Sequence, residues 1–267
     1  MLTLLRFDLK NTRSKIFVYC LIIAAFTLGC IFFWSNGFEG FFDNNNFYLI
    51  TIFKYGSLGV TGTVCMLCLI LVFVSLAQWF SQNLFDREGH FMNMLPVSKT
   101  KLFLSKTLAA LVWNFVVNGF IVLCLYVFMC FDGRLEQIND VVADLTGNNG
   151  SFHAGLMMIA FGVFATLHGL TVTVLAYTSI CLGQMVDFGR SFCVLVGFVG
   201  IGLAQIVIGA LLGAVLGVFN LGGISTLPGM ISFFMGFCVK MSVVSLLNSA
   251  LTFALGSYLL STRLNVN

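Results

Sequence analysis

The residues that could do chemistry in this chain are few. Histidines stand only at positions 90, 153 and 168, so no His-Glu-x-x-His metalloprotease site can be assembled locally. Cys65-Met66-Leu67-Cys68 has the spacing of half a metal or redox site, yet no second pair or histidine stands at ligand spacing. It reads, with most of the nine cysteines, as small apolar side chains inside apolar runs. There is no Gly-Lys dipeptide, which excludes the phosphate-cradling loop of a self-contained ATPase. What remains is residues 84–106, a polar interruption that carries both charge signs and a proline. There Asp86, Arg87, Glu88 and His90 offer charged handles, and Phe85, Phe91, Met92, Met94 and Leu95 offer apolar knobs for a partner's groove. Pro96 stops this short helix, and Ser98 is placed to cap the next one.

The elements around that segment are apolar. Hydrophobic residues make up 59% of 267 positions and charged residues 9%, against about 25% charged in soluble domains. A soluble core could not hide that surface, and several runs approach the ~20 residues that cross a bilayer as a helix. The expected fold is an all-α membrane protein, a single domain over 1–267 with six transmembrane helices. The spans are expected at 16–34, 57–80, 107–131, 154–182, 192–219 and 241–260. Residues 1–15 read as an amphipathic interfacial helix, with Leu2, Leu5 and Leu9 on one face and Arg6, Lys10 and Arg13 on the other. The run 16–34 is longer than the apolar region of a signal peptide and lacks a small-x-small exit, so it is expected to stay as span 1. Residues 220–240, broken by Gly222-Gly223 and Pro228, read as a re-entrant or interfacial pair of short helices. In span 5, Gly209, Gly213 and Gly217 form a row that admits a close neighbour, either inside the chain or at a dimer seam.

Six spans put both termini on one side. Ten of the thirteen basic residues then share that side, and only Lys54, Arg134 and Lys240 lie opposite. The positive-inside bias assigns the termini and residues 84–106 to the cytoplasm. No Asp, Glu, Lys or Arg falls deep inside these spans, although ion-coupled carriers usually hold one there. His168 in span 4 is the one position for a secondary carrier, and it also reads as a hydrogen-bonded packing histidine.

Asp86-Arg87-Glu88-Gly89-His90, Met94-Leu95-Pro96-Val97-Ser98-Lys99 and Leu104-Ser105-Lys106 together resemble the cytoplasmic signature of ABC-2 type ABC transporter permeases, particularly of Gram-positive bacteria. The resemblance is sharp over about 25 residues and extends to the topology around them. It implies that Phe85, Asp86, Arg87, Glu88, Gly89, His90, Met94, Leu95 and Pro96 form a coupling helix and turn that dock on a separate ABC ATPase subunit. It implies that 1–15 is the family's connecting helix. The chain would be the permease subunit of an exporter in a bacterial plasma membrane, working as a homodimer or with a sister permease. Its cargo would be an amphipathic peptide, antibiotic or lipid. The chain itself would be no enzyme and hold no cofactor, with ATP and magnesium bound by the partner ATPase; its other contacts would be membrane lipids, not nucleic acid. The family's pathway lies at the dimer interface, which makes Asn114, Asn118 and Gln205 candidates to line it. The same amides could instead hydrogen-bond between helices of one chain. A non-transporting membrane anchor or regulator that uses the same segment is the reading from another class.

Overall fold

The computed structural model describes residues 2–34, 47–85, 98–131, 154–186, 189–218 and 227–263. These form six helices and, among the described residues, no strand: α1 Leu2–Trp34, α2 Phe47–Phe85, α3 Lys99–Phe131, α4 Ala154–Gly183, α5 Arg190–Val215 and α6 Leu227–Arg263. Their apolar stretches run to 26–34 residues, beyond the ~20 needed to cross hydrocarbon. The chain is therefore a multi-pass helical membrane protein, as its composition predicts.

The helices outrun the expected spans, because hydropathy detects the apolar middle of a helix and not its polar ends. Residues 1–15 do not form a separate surface helix; from Leu2 onward they are the first turns of α1. Asp8, Thr12 and Ile16, one turn apart, are buried, while Arg6, Lys10 and Arg13 are exposed. Residues 227–240, expected among short re-entrant helices, are continuous with α6; residues 220–226 of that stretch lie outside the described residues. At the start of α3 the Ser98 carbonyl accepts the Lys101 and Leu102 N–H groups at 3.0 and 3.1 Å, as an N-cap carbonyl does. The Ser98 hydroxyl faces that of Thr100 at 3.4 Å.

The end of α5 shows why Gly217 belongs where it is. Val218 N–H donates to the Gly213 carbonyl at 2.8 Å and Gly217 N–H to the Ala214 carbonyl at 3.1 Å, the paired bonds of a Schellman ending. That ending needs a left-handed residue, and Gly217 has φ 64°. Lys240 Nζ of α6 then donates to the Gly217 carbonyl at 2.9 Å, placing a cation at the negative end of the helix.

The chain divides into two compact units: Met1–Arg13 with Phe73–Phe115 and Val163–Asn267, and Ser14–Val72 with Val116–Gly162. In the first, the core is aromatic. Phe80 stacks on Tyr177 with ring centroids 4.1 Å apart, and Phe103 sets its edge toward both. Gly256 lets α6 close over this group, since a Cβ there would stand 2.7 Å from both Phe103 Cζ and Thr178 Oγ1. In the second unit, Trp34 meets Phe128 edge-on at 5.5 Å and Phe33 stacks on Phe53 at 6.1 Å. A cavity of about 560 Å³ lies between α1 and α2 there, lined by Gly29, Cys30 and Phe33 on one side and Phe53, Gly56 and Ser57 on the other.

Candidate functional site

Asp8 is the acidic residue of the first turns of α1, and it is fully buried. Its carboxylate is held from α3: Lys106 Nζ donates to Oδ1 at 2.6 Å and Ser105 Oγ to Oδ2 at 2.8 Å. Lys106 is equally buried, and its ammonium lies 3.9 Å from the centroid of the Trp79 ring of α2, a cation–π contact. One turn along α1, the Thr12 hydroxyl donates to the Asp8 carbonyl at 2.9 Å and accepts the Trp113 indole N–H at 2.8 Å. The first turns of α1 and of α3 are thus joined by an ion pair and two hydrogen bonds, roofed by an indole of α2.

A buried charge costs several kcal/mol to desolvate, so such a pair persists only with its remaining valences filled. Here both carboxylate oxygens are occupied, and the ammonium has a carboxylate and a π face. The neighbouring Trp79 Nε1, Asn83 Oδ1 and Tyr177 hydroxyl, by contrast, are buried with no hydrogen-bond partner among the described residues. Asp8 lies six residues into α1 and Lys106 seven into α3. At ~1.5 Å per residue that is about 10 Å from each helix start, near the edge of the hydrocarbon and not at its centre.

Of the residues expected to couple to an ATPase, Phe85 is described: it ends α2, with its ring 6.3 Å from Phe80. Asp86, Arg87, Glu88, Gly89, His90, Met94, Leu95 and Pro96 lie outside the described residues. Asn114 and Asn118 are buried on α3. Asn114 donates to the Ala110 carbonyl at 3.0 Å and to Thr173 Oγ1 of α4 at 3.3 Å, and Gly169 makes room for its carbonyl. Gln205 of α5 donates instead to Thr252 Oγ1 of α6 at 2.6 Å, while Asn248 donates to the Gln205 carbonyl at 3.4 Å. In this chain Asn114 ties α3 to α4 and Gln205 ties α5 to α6. Gly209 of the glycine row faces Val244 and Asn248 of α6, which makes it internal packing.

His168 departs from expectation. It is exposed on α4, its ring 5.8 Å from that of Phe164 and roughly parallel to it, with no hydrogen bond among the described residues. Among the described residues it is therefore not a hydrogen-bonded packing histidine.

Sequence reading overlooked Asp8 and Tyr177, took Trp79 for an interface anchor at the end of span 2, and placed Lys106 in the cytoplasmic segment leading into span 3. A single acid among the basic residues of the first turns was the available signal. Its partner lies 98 positions away, so no local pattern joins them. Comparison with family models, characterised proteins and solved structures found no match to this chain. Fold and site thus define a class, a six-helix membrane protein whose first and third helices are clamped by a buried ion pair.

Proposed function

We propose that the chain is the transmembrane permease subunit of an ATP-driven ABC exporter. One observation carries the reading: the string that resembles the family's ATPase-docking signature occupies the connection between α2 and α3, and its closing Ser105 and Lys106 grip Asp8 of α1. A segment pushed by an ATPase at residues 86–95 would move the start of α3, and the ion pair would carry that motion to α1. The expected energy source is ATP with magnesium in a separate ATPase chain, engaged through Asp86, Arg87, Glu88, Gly89 and His90. The ten-to-three partition of basic residues supports a bacterial plasma membrane with both termini cytoplasmic. Two such chains, or this chain and a sister permease, would rock between inward and outward states and release an amphipathic peptide, antibiotic or lipid-like cargo outside. In this role the first turns of α1 serve as the connecting helix.

The test is capture. The tagged chain, expressed with its neighbouring genes and solubilised in mild detergent, should bring down an ATPase with a phosphate-binding loop. Glu88→Ala should lower the cargo-stimulated ATP hydrolysis of that complex and leave membrane insertion intact. Purification with no ATPase bound sinks the proposal.

A further inference from the structure

An unfilled space beside a helix forfeits dispersion contacts, because its lining has no atoms opposite it. The cavity of about 560 Å³ between α1 and α2 is such a space, and its lining lies wholly in the unit formed by Ser14–Val72 and Val116–Gly162. The charges of α1 locate it in the membrane. Lys15 is the last charged residue of that helix, and the nineteen residues from there to Trp34 rise about 28 Å, close to the ~30 Å of hydrocarbon. Trp34 thus marks the far edge. There its ring meets Tyr55 edge-on at 5.7 Å, and the Lys54 ammonium stands 6.0 Å from its centroid, as interfacial anchors do. The lining runs from Phe33 and Ile52 near that edge to Ala25 and Thr61, some nine residues or about 14 Å inward. That is the depth of one leaflet, about half of the hydrocarbon layer.

We infer that this groove holds one acyl chain of a phospholipid, drawn from the leaflet that Trp34 and Lys54 adjoin. The chemistry of the lining selects hydrocarbon. Its three polar side chains are already engaged: the Ser57 hydroxyl donates to the Lys54 carbonyl at 2.8 Å, the Thr61 hydroxyl donates to the Ser57 carbonyl at 2.8 Å, and the Cys30 thiol lies 3.7 Å from Ser57 Oγ. Nothing in that lining calls for a polar ligand. Room comes from two glycines, since a Cβ at Gly29 or Gly56 would meet no neighbouring side chain or helix within 4 Å among the described residues. Access comes from Ile52 and Phe53, 65% and 44% exposed, which turn the groove toward the bilayer. Phospholipid is the source because the bilayer itself supplies its chains at this depth, in the length of one leaflet. Burial in hydrocarbon brings no hydrophobic drive, so close packing holds the chain, its methylenes supplying the contacts that the glycines withhold. A chain seated there fills the space between α1 and α2 and sets their spacing. The site is independent of the exporter reading.

The experiment reconstitutes the full chain in phosphatidylcholine vesicles that contain a small fraction of phosphatidylcholine with a diazirine on one acyl chain. Adducts are mapped by peptide mass spectrometry after irradiation. Labelling over residues 25–33 and 52–61 should exceed, about tenfold per exposed residue, that over residues 199–211 of α5, where Leu203, Ile206 and Leu211 face outward. Gly56→Leu and, from the other helix, Gly29→Leu place a side chain in the groove. Each should lower the groove's labelling about tenfold and leave residues 199–211 unchanged. Gly59→Leu, the same change on α2 outside the lining, should alter neither, and an unchanged melting temperature shows each variant to be folded. Added oleic acid should leave the groove's labelling within about twofold; its loss would assign the groove to a free fatty acid and overturn the phospholipid. Labelling of the groove no higher than that of α5 means ordinary boundary lipid, or another occupant such as a second copy, and overturns the site. So does labelling indifferent to both glycine variants.

Discussion

In the unit formed by Met1–Arg13, Phe73–Phe115 and Val163–Asn267, neighbouring helices are tied by directed polar contacts. Asp8 meets Lys106, Thr171 donates to the Ser245 carbonyl at 2.9 Å, Thr178 to the Thr252 carbonyl at 3.1 Å, and Gln205 to Thr252. In the unit formed by Ser14–Val72 and Val116–Gly162, ring edges and faces meet between described helices, as at Trp34–Phe128 and Phe33–Phe53. Thr61 reaches the Phe26 carbonyl at 3.3 Å, and the Cys30 thiol approaches the Ser57 hydroxyl at 3.7 Å. A Cβ at Gly29 or Gly56, which line the cavity between α1 and α2, would meet no neighbouring side chain or helix within 4 Å among the described residues. Hydrocarbon provides no hydrophobic drive between helices, so close packing and hydrogen bonds must hold them. The first unit has both in quantity. The second leaves a cavity of about 560 Å³ between α1 and α2, and so gives those two helices more freedom to change their spacing.

The contrast can be broken most forcefully at the ion pair. Asp8→Leu should cost about 3–5 kcal/mol, because it strands the Lys106 ammonium in a buried site, and pairing it with Lys106→Met should restore most of the loss. Melting of the detergent-solubilised protein across the double-mutant cycle reads this; equal losses in the single and double variants would show the pair to be no clamp. A smaller effect separates the glycines of the two units. Gly256→Ala drives a Cβ into Phe103 and Thr178 and should cost about 1–3 kcal/mol, whereas Gly56→Ala meets open space and should be neutral or gain up to about 1 kcal/mol. Matching costs in the same melting assay would erase the distinction between the units. The smallest effect belongs to Tyr177→Phe, which removes a buried hydroxyl that has no partner among the described residues and should leave the melting temperature unchanged or slightly raised. A marked loss of melting temperature would overturn the reading of this hydroxyl as unpaired.

Much of the frame was legible beforehand. The six spans follow from runs of apolar residues long enough to cross a bilayer, a property that needs no knowledge of neighbours. Their ends were not legible: α3 begins at Lys99, eight residues before its expected start, because a helix continues through Lys101 and Lys106 wherever its backbone bonds can be made. The amides illustrate the other gap. Asn114, Asn118 and Gln205 stood out as polar residues in apolar spans, but composition could not say whether they faced a pathway or a neighbouring helix. Thr173 and Thr252 supply partners for Asn114 and Gln205 across helices, at separations of 59 and 47 residues.

By itself, then, the sequence determined that the chain is a helical membrane protein with six runs long and apolar enough to cross a bilayer, and with a polar segment between the second and third of them. Hydrophobicity and helix period act locally, so a linear reading recovers them. Only the tertiary structure decided that Asp8 and Lys106 are one buried pair, and that His168 looks outward from its own chain. Whether a charge is solvated or clamped depends on which distant residues the packing brings within 3 Å of it, a relation the order of residues along the chain does not contain.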